Sequence, residues 1–234
     1  MSNPHPQRFC KKAPNGGFTL LEIMVAIFIF AVVITTVFGS FRAVFSSTDA
    51  VGGDVDVFAS ARTCLSRMAT DLEALTISDY PRYAKPEFND PPDPYQLLGE
   101  TTDIRGTRFG RLQFASLAHL ALHGDPRQGV CRIVYYVDQL DDDSLVLRRA
   151  DDLYPFPEFE ESEDDPILCA NLLDLKFEYT DAEDETSENW DSESADNDYA
   201  TPRAIQVHLK VGTETRPILF TTRIPLHVYR KASE

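Results

Sequence analysis

The chain has 234 residues and a formal net charge of −16, and 43% of its residues are hydrophobic. This apolar fraction is enough to bury a core, which argues against a fully disordered chain. The negative charge weighs against direct binding to nucleic acid, because such binding requires cationic side chains at the phosphates. It also disfavours a domain that lies on a lipid surface. We therefore expect an acidic folded body that faces ions or other proteins.

A long apolar segment follows a short basic leader at the N-terminus. The only charged side chains before residue 22 are Arg8, Lys11 and Lys12, and residues 23–41 carry no charge. This run is close to the roughly 20 residues that a helix needs to cross a bilayer. Because the basic residues precede it, the positive-inside rule predicts a cytoplasmic N-terminus and an exported body.

One carboxylate, Glu22, stands at the start of the apolar segment. It ends the stretch GGFTLLE, which covers residues 16–22. A carboxylate in hydrocarbon costs about 2.5–3.5 kcal/mol on insertion scales, so it is expected where a partner offsets the charge. In the alternative interpretation, Glu22 lies at the lipid headgroups near the helix N-terminus, where an acid is mildly favourable.

The stretch KKAPNGGFTLLEIMVAIFIF resembles the class III signal of type IV pilins and type II secretion pseudopilins. The resemblance implies that a prepilin peptidase cuts between Gly17 and Phe18 on the cytoplasmic side and then methylates the new N-terminal residue, Phe18. Cleavage would create a cationic α-amine on Phe18. Its pairing with Glu22 of a neighbouring subunit would neutralise both charges, so Glu22 is the predicted assembly residue.

A second helical pattern follows residue 42. Apolar residues recur there every three or four positions, which is typical of an amphipathic helix. The stripe is shorter than three heptads, so we expect it to dock on the sheet of its own domain rather than to form a coiled-coil seam. Gly52 and Gly53 predict a weak point or kink before the stripe. The stripe consists of Phe58, Ala61, Leu65, Met68, Leu72 and Leu75.

Beyond residue 105 the hydrophobic period changes to two, which predicts half-buried antiparallel strands. Residues 212–215 predict a hairpin loop between the last two strands. The predicted fold class is α+β and pilin-like: a long N-terminal helix, transmembrane in its first half, packs on a mainly antiparallel β-sheet. The predicted strands cover residues 111–117, 131–137, 144–149, 173–179, 205–211 and 217–229.

These patterns, together with the cleavage site that the resemblance implies, divide the chain into four predicted segments. Residues 1–17 form a leader peptide, and residues 18–41 form a transmembrane and assembly helix. Residues 42–78 form a periplasmic amphipathic helix, and residues 79–234 form a periplasmic β-rich domain. The predicted location is the bacterial inner membrane, with a single pass and the C-terminal domain in the periplasm.

The body resembles one subtype of these families. LSRMATDL at residues 65–72 is similar to the L-x-R-x-x-x-D-L stretch of J-type minor pseudopilins of type II secretion, and the strand series after it is also similar. The resemblance implies a subunit of the periplasmic pseudopilus tip complex, which supports protein export across the outer membrane. The implied partners are I-type and K-type minor pseudopilins, the major pseudopilin and prepilin peptidase, with no nucleic acid. A minor pilin of a type IV pilus and a membrane-anchored periplasmic binding or enzymatic domain are the alternatives.

The acidic loop, residues 181–198, has nine acids in eighteen residues. Oxygen-rich loops bind Ca²⁺, and related pseudopilins have calcium sites, so Asp191, Glu193, Asp196 and Asp198 are candidate ligands. The residue order of an EF-hand is absent. The charge density favours a solvated, mobile loop over a calcium site.

The cysteines form no CxxC pair and match no zinc spacing. Cys131 and Cys169 both lie in the β-rich region and would be able to form a disulfide if the domain is exported. In the other interpretation they are small buried hydrophobic residues. His119 and His123 are four residues apart but lack a third ligand nearby in sequence.

The sequence also lacks the motifs of several enzyme classes. No G-x-S-x-G, P-loop or H-E-x-x-H pattern occurs. We therefore expect neither an enzyme nor a cofactor.

Overall fold

In a computed structural model of the protein, the described residues are 20–79, 81–87, 90–120 and 127–231, and no side chain is described for residues 37–56. The chain divides into two compact units, Met1–Gly52 and Gly53–Glu234.

One helix, α1 (Leu20–Glu73), contributes to both units. Helical structure continues through Gly52 and Gly53, so the predicted weak point does not end the helix. A helical glycine costs only about 1 kcal/mol relative to alanine, which a long helix tolerates. Beyond the helix, Leu75 forms an isolated β-bridge with Ser116.

A transmembrane helix was predicted over residues 18–41. Within the described part of the chain, no helix is both long and apolar enough to cross a membrane.

Ten strands follow α1 in the described residues. They are β1 (Leu98–Ile104), β2 (Thr107–Ser116), β3 (Cys131–Gln139), β4 (Leu145–Leu153), β5 (Ile167–Cys169), β6 (Leu172–Thr180), β7 (Thr186–Ser187), β8 (Trp190–Asp191), β9 (Ala204–Thr213) and β10 (Arg216–Pro225).

The strands of the second unit form two sheets. The larger sheet has the order β5-β4-β3-β2-β1-β8, and the smaller sheet has the order β10-β9-β6-β7. Every pair of these strands is antiparallel. The predicted α+β class is therefore confirmed. The predicted hairpin is also confirmed, because Thr213 pairs with Arg216 across a two-residue turn.

The predicted apolar stripe of α1 packs into the core of the second unit. Ala61, Met68 and Leu72 are at most 1% exposed and belong to one cluster with residues of both sheets. Phe58 differs, because it is 52% exposed and its ring lies 5.1 Å from the Phe220 ring, between centroids. The stripe therefore docks on the sheets of its own domain, as its short length predicted.

Four strands lie where the sequence predicted none. Strand β1 falls between residues 79 and 106, β5 falls between the predicted strands at 144–149 and 173–179, and β7 and β8 fall within the acidic loop. Four of the seven residues in β1 are exposed, so its sequence has no apolar alternation. Its pairing with β2 over seven residue pairs defines it instead.

Candidate assembly surface and buried helix anchor

The first candidate site is the apolar surface of α1 in the first unit. Every described side chain over residues 20–36 is exposed. Twelve large hydrophobic side chains here are between 38% and 78% exposed, from Leu20 to Ile34. Soluble monomers rarely expose contiguous apolar patches larger than a few hundred Å². We call residues 20–36 the assembly surface. Its exposed apolar side chains require an apolar environment or a partner.

Glu22 lies in the first turn of α1, within the assembly surface. An acid in this position interacts favourably with the helix dipole. The predicted processing residues, Gly17 and Phe18, lie outside the described residues. Pairing of Glu22 with the α-amine of Phe18 therefore stays a prediction.

The second candidate site is a cluster of charged side chains that holds the end of α1 on the larger sheet. The side chains of Asp71 and Arg149 are both fully buried. Arg149 Nε donates to Asp71 Oδ2 at 2.8 Å, and Arg149 Nη2 lies 3.3 Å from Asp71 Oδ1. Arg67 and the hydroxyl of Tyr135 also donate to this carboxylate. One buried acid thus joins α1, β3 and β4, and we call this cluster the helix anchor.

Local geometry explains why these residues meet. Arg67 and Asp71 are four residues apart, so they share one face of α1. Tyr135 pairs directly with Arg149 in the ladder between β3 and β4. Arg149 and Asp151 are two residues apart on β4, so their side chains point to the same side of the sheet. The helix face and the strand pair together build the anchor.

The protonation states of the anchor follow from burial and charge. Burial and the charge of Asp71 raise the pKa of Tyr135, so its hydroxyl stays protonated and able to donate. Burial alone would lower the pKa of Arg149, but hydrogen bonds and attraction from Asp71 and Asp151 outweigh it and raise the pKa. The guanidinium therefore stays cationic inside the core.

Asp151 extends the anchor on the other side of Arg149. Its Oδ2 accepts from Arg149 Nη1 at 2.6 Å, and its Oδ1 lies 2.6 Å from His119 Nδ1. Burial raises the pKa of Asp151, but the hydrogen bonds from His119 and Arg149 hold it below the usual range. Two carboxylates thus face the guanidinium groups of Arg67 and Arg149, which balances the buried charge.

One group of potential metal ligands occurs among the described residues. Ligand atoms of His119, Cys131 and Asp151 lie within 4.8 Å of one another. Burial raises the pKa of Cys131 to about 12, and its protonated thiol donates to Ser116 O at 3.3 Å. Asp151 already accepts from its neighbours in the anchor, so we assign no metal here. His123 lies outside the described residues.

The acidic loop is anchored by a second buried arginine. The side chain of Arg230 is 1% exposed, and its Nη1 donates to Ser78 O at 3.1 Å. Its Nη2 donates to Glu193 Oε1 at 2.7 Å. Trp190 is only 5% exposed, and its Nε1 donates to Ala200 O at 3.0 Å. The prediction of a solvated loop fits its first half, where residues 182–186 are exposed. It is wrong for the side chains of Trp190 and Glu193, which are buried, and Arg230 of the C-terminal segment offsets the charge of Glu193.

The candidate calcium ligands are dispersed over this loop. Asp191 Oδ1 accepts from Gln96 Nε2 at 2.7 Å, and Glu193 is paired with Arg230. Asp198 has a φ of 53° at the end of the 3-10 helix Ala195–Asn197, the helix that contains Asp196. None of the four belongs to a group of three converging ligands in the described part of the chain. A calcium site here remains a prediction.

The predicted pairing of Cys131 with Cys169 is absent, because both are free thiols. Cys169 pairs with Leu147, and Leu147 pairs with Val137, which is six residues from Cys131 on β3. At about 3.4 Å per residue, that offset separates the two cysteines by roughly 20 Å. A disulfide requires Cα atoms within about 7 Å. Cys169 lies instead in the same buried hydrophobic cluster as Cys64 of α1.

Two family models match the chain. The prokaryotic N-terminal methylation motif matches residues 12–38. The model of type II secretion system (T2SS), protein J, matches residues 39–219 and includes the helix anchor. No curated protein matches the sequence. The second match covers more than half of the chain, so this protein belongs to the type II secretion system protein J family and is a J-type minor pseudopilin with a class III N-terminal signal.

Proposed function

We propose that this minor pseudopilin is a subunit of the pseudopilus tip complex in the periplasm, where it supports protein export across the outer membrane. The observation that carries the proposal is the assembly surface, which exposes twelve large hydrophobic side chains in a member of the protein J family. The protein would act by assembly, because no step of this role requires turnover of a substrate.

In this proposal, residues 18–41 first span the inner membrane, with the N-terminus in the cytoplasm and the body in the periplasm. The apolar helices of several subunits then leave the bilayer and pack together. Packing against one another keeps these apolar faces out of water once they have left the bilayer, and exposure to water would cost about 25 cal/mol per Å². The partners are I-type and K-type minor pseudopilins and the major pseudopilin, and prepilin peptidase processes the chain. The net charge of −16 makes nucleic acid an unsuitable partner.

Glu22 sets the order of events in this mechanism. Cleavage between Gly17 and Phe18 creates the α-amine that would pair with Glu22 of a neighbouring subunit. A charge pair in a low-dielectric interior is stable only when both partners are present. Cleavage therefore precedes pairing, and pairing precedes assembly.

Processing is tested by co-expressing the full chain with prepilin peptidase and measuring its N-terminus by mass spectrometry. We expect a mature chain that starts at a methylated Phe18. Gly17→Val should block cleavage, because a bulky residue occupies the cut position, and Gly16→Val is the matched control that should still be cut. An intact N-terminus in the wild-type chain would contradict the proposal.

Assembly is tested with Glu22→Gln, which removes the charge and preserves the shape. We expect normal cleavage, loss of co-purification with the other pseudopilins, and loss of secretion. Glu73→Gln changes an exposed acid later in α1 and should leave all three unchanged. Normal secretion by Glu22→Gln would show that the carboxylate is dispensable.

The alternative functions predict different partners. A minor pilin of a type IV pilus would share the N-terminal signal, but the match of residues 39–219 to protein J favours type II secretion. A membrane-anchored binding domain would require no pseudopilin partner. Co-purification of the full chain in detergent with I-type and K-type minor pseudopilins discriminates among them, and absence of a complex would count against the tip-complex role.

A further inference from the structure

The outermost strands of the two sheets differ in length. Strands β5, β7 and β8, which are outermost at three of the four sheet edges in the described part of the chain, have two or three residues each. The fourth outermost strand is β10, which has ten residues and pairs only with β9 among the described residues. Short edge strands protect a sheet against the addition of another strand, whereas a long edge strand presents unpaired N–H and C=O groups. Of these four outermost strands, β10 is therefore best suited to accept another strand.

The backbone of β10 alternates between groups that face β9 and groups that face away from it. The two strands pair over ten residue pairs without a register shift. The two-residue turn makes Thr213 and Arg216 a hydrogen-bonded pair, and such pairs recur at every second residue of an antiparallel ladder. Leu226 N donates to Arg203 O at 2.9 Å, which continues the same alternation beyond the strand. The odd-numbered residues of β10 therefore direct their backbone groups away from β9.

Two prolines limit this free edge. Pro217 and Pro225 are odd-numbered residues of β10, so their lack of an N–H group removes no hydrogen bond from the ladder with β9. The two prolines restrict the addition of a strand to residues 218–224, which we call the open edge. Three residues of the open edge direct N–H and C=O groups to the side where no strand of the described chain pairs with them: Leu219, Thr221 and Arg223.

The side chains of the open edge favour a partner segment that alternates apolar and acidic residues. Phe220 packs against the core, and its ring lies 5.1 Å from the ring of Phe58, which is 52% exposed. Leu219 and Arg223 point to the opposite face of the sheet and are exposed. Arg223 lies 3.8 Å from Asp184, but that acid is 90% exposed and water screens the pair. An added strand would cover Phe58 and Phe220 with apolar residues and would place acids beside Arg223.

The charge of this hairpin agrees with an acidic partner. Strands β9 and β10 contain Lys210, Arg216 and Arg223 and no acid, although the whole chain has a net charge of −16. Complementary charges across an interface accelerate association and exclude wrong partners. A second copy of this chain is a poor match, because its β10 would also bring two arginines and no acid.

We propose that the open edge of β10 binds an extended segment of a different protein as an additional strand, and that this segment alternates apolar and acidic residues. In such strand addition, main-chain hydrogen bonds provide affinity and side chains at alternate positions provide specificity. The open edge belongs to the second unit. This interaction therefore goes beyond the packing of the apolar helices and does not depend on it.

Binding is tested with a synthetic strand peptide and the full chain in detergent. The probe is the capped, fluorescein-labelled peptide TVEVEVT, and TVKVKVT is its charge-reversed control. Fluorescence anisotropy should show saturable binding of the acidic peptide, with the basic peptide about tenfold weaker. Equal affinity for the two peptides, or no binding of the acidic peptide at millimolar concentration, would overturn the proposal.

Thr221→Pro tests the main-chain contacts of the open edge. The substitution removes an outward N–H and obstructs an added strand, but it leaves the ladder with β9 intact because residue 221 is odd-numbered. We expect it to weaken binding of the acidic peptide by about tenfold. Thr221→Val is the matched control, since it keeps the N–H and also loses the hydroxyl that lies 3.2 Å from His208 Nδ1. Equal affinities of the two variants would contradict strand addition.

Arg223→Glu tests the charge preference without a change in the backbone. We expect the acidic peptide to bind about fivefold more weakly and the basic peptide to bind more tightly than to the wild type. Loss of folding would weaken both peptides, so it would not produce this reversal. An unchanged preference for the acidic peptide would contradict the role of charge in the proposal.

Photo-crosslinking in cells identifies the occupant of the open edge. Leu219 is replaced with a photoreactive benzoylphenylalanine in the full chain, and the cross-linked peptides are mapped by mass spectrometry. We expect the cross-link to lie on a segment of another protein that alternates apolar and acidic residues. A cross-link to β10 of a second copy, a cross-link to a basic segment, or the absence of any cross-link would each overturn the proposal.

Discussion

Apolar side chains of the same type are exposed in the first part of helix α1 and buried in its last part. Met24 is 63% exposed, whereas Met68 is fully buried, although both lie on this helix. The difference arises because the second unit supplies two sheets that cover the stripe from Ala61 onward. The core residues of the second unit thus pack against one another within the chain, and the exposed apolar residues of the first unit require an apolar environment or a partner.

Asp71 and Glu22, one acid from each region, differ in the same way in where their partners come from. Asp71 is 0% exposed and receives hydrogen bonds from Arg67, Tyr135 and Arg149 of its own chain. For Glu22 we have proposed a cation from a neighbouring subunit. A carboxylate in an apolar setting needs such a partner in either case. A carboxylate is therefore paired with a cation within the subunit at Asp71 and, by our proposal, between subunits at Glu22.

The largest effect should come from breaking the helix anchor with Asp71→Ala. Removal of this carboxylate leaves Arg149 buried without its main partner, which should lower the free energy of unfolding by about 3–5 kcal/mol. Urea unfolding of the full chain in detergent, followed by Trp190 fluorescence, measures the change. Glu73→Ala removes an exposed acid two residues later and should cost less than about 0.5 kcal/mol. Equal costs for the two variants would refute the anchor.

The two methionines test the comparison between the regions directly. Met68→Ala leaves a cavity in the core, so we expect it to lower the free energy of unfolding of the body by about 2–5 kcal/mol. Met24→Ala should leave that free energy nearly unchanged and instead weaken co-purification with the other pseudopilins. The comparison fails if Met24→Ala destabilises the body as much as Met68→Ala does.

Arg230→Lys should have an intermediate effect. The substitution keeps the positive charge but loses the planar fork that reaches Glu193 and the carbonyl oxygens of Ser78 and Ser192. We expect a loss of about 1.5–3 kcal/mol in the free energy of unfolding and a red shift of the Trp190 emission. Arg223→Lys, at an exposed position, should change neither quantity. An unshifted Trp190 emission in Arg230→Lys would show that Arg230 does not hold the acidic loop.

The smallest effect should appear in the pH dependence. The pKa of Asp151 is lower in the folded state than in the unfolded state, so its contribution to stability is full above the unfolded pKa of about 3.9. That contribution is lost as the pH falls through the folded pKa. Unfolding free energies measured from pH 7 down to pH 3 should therefore decline less steeply for Asp151→Asn than for the wild type. Parallel curves would mean that the anchor does not stabilise the ionised form of Asp151.

Residue spacing was sufficient to predict much of the fold. The alternation in Leu173, Leu175, Phe177 and Tyr179 defined a strand because half-buried strands repeat every two residues. The stripe of α1 was predicted for the equivalent reason with a period near 3.6. By contrast, β7 and β8 have two residues each, so neither is long enough to show a period.

The candidate sites were predictable to different extents. The class III signal and the position of Glu22 are local features, and each depends only on residues that are near in sequence. The pairing of Arg67 with Asp71 is equally local, because four residues bring the two side chains to one helix face. A sequence pattern is sufficient for such features because the helix geometry is the same wherever the pattern occurs.

Contacts between distant residues depended on the tertiary structure. Arg149 reaches Asp71 across 78 residues, and Arg230 reaches Glu193 across 37. Such partners follow from strand register, and a slip of one residue would turn every side chain of a strand to the opposite face. No local spacing carries that information, so only the folded sheets could decide which buried groups meet.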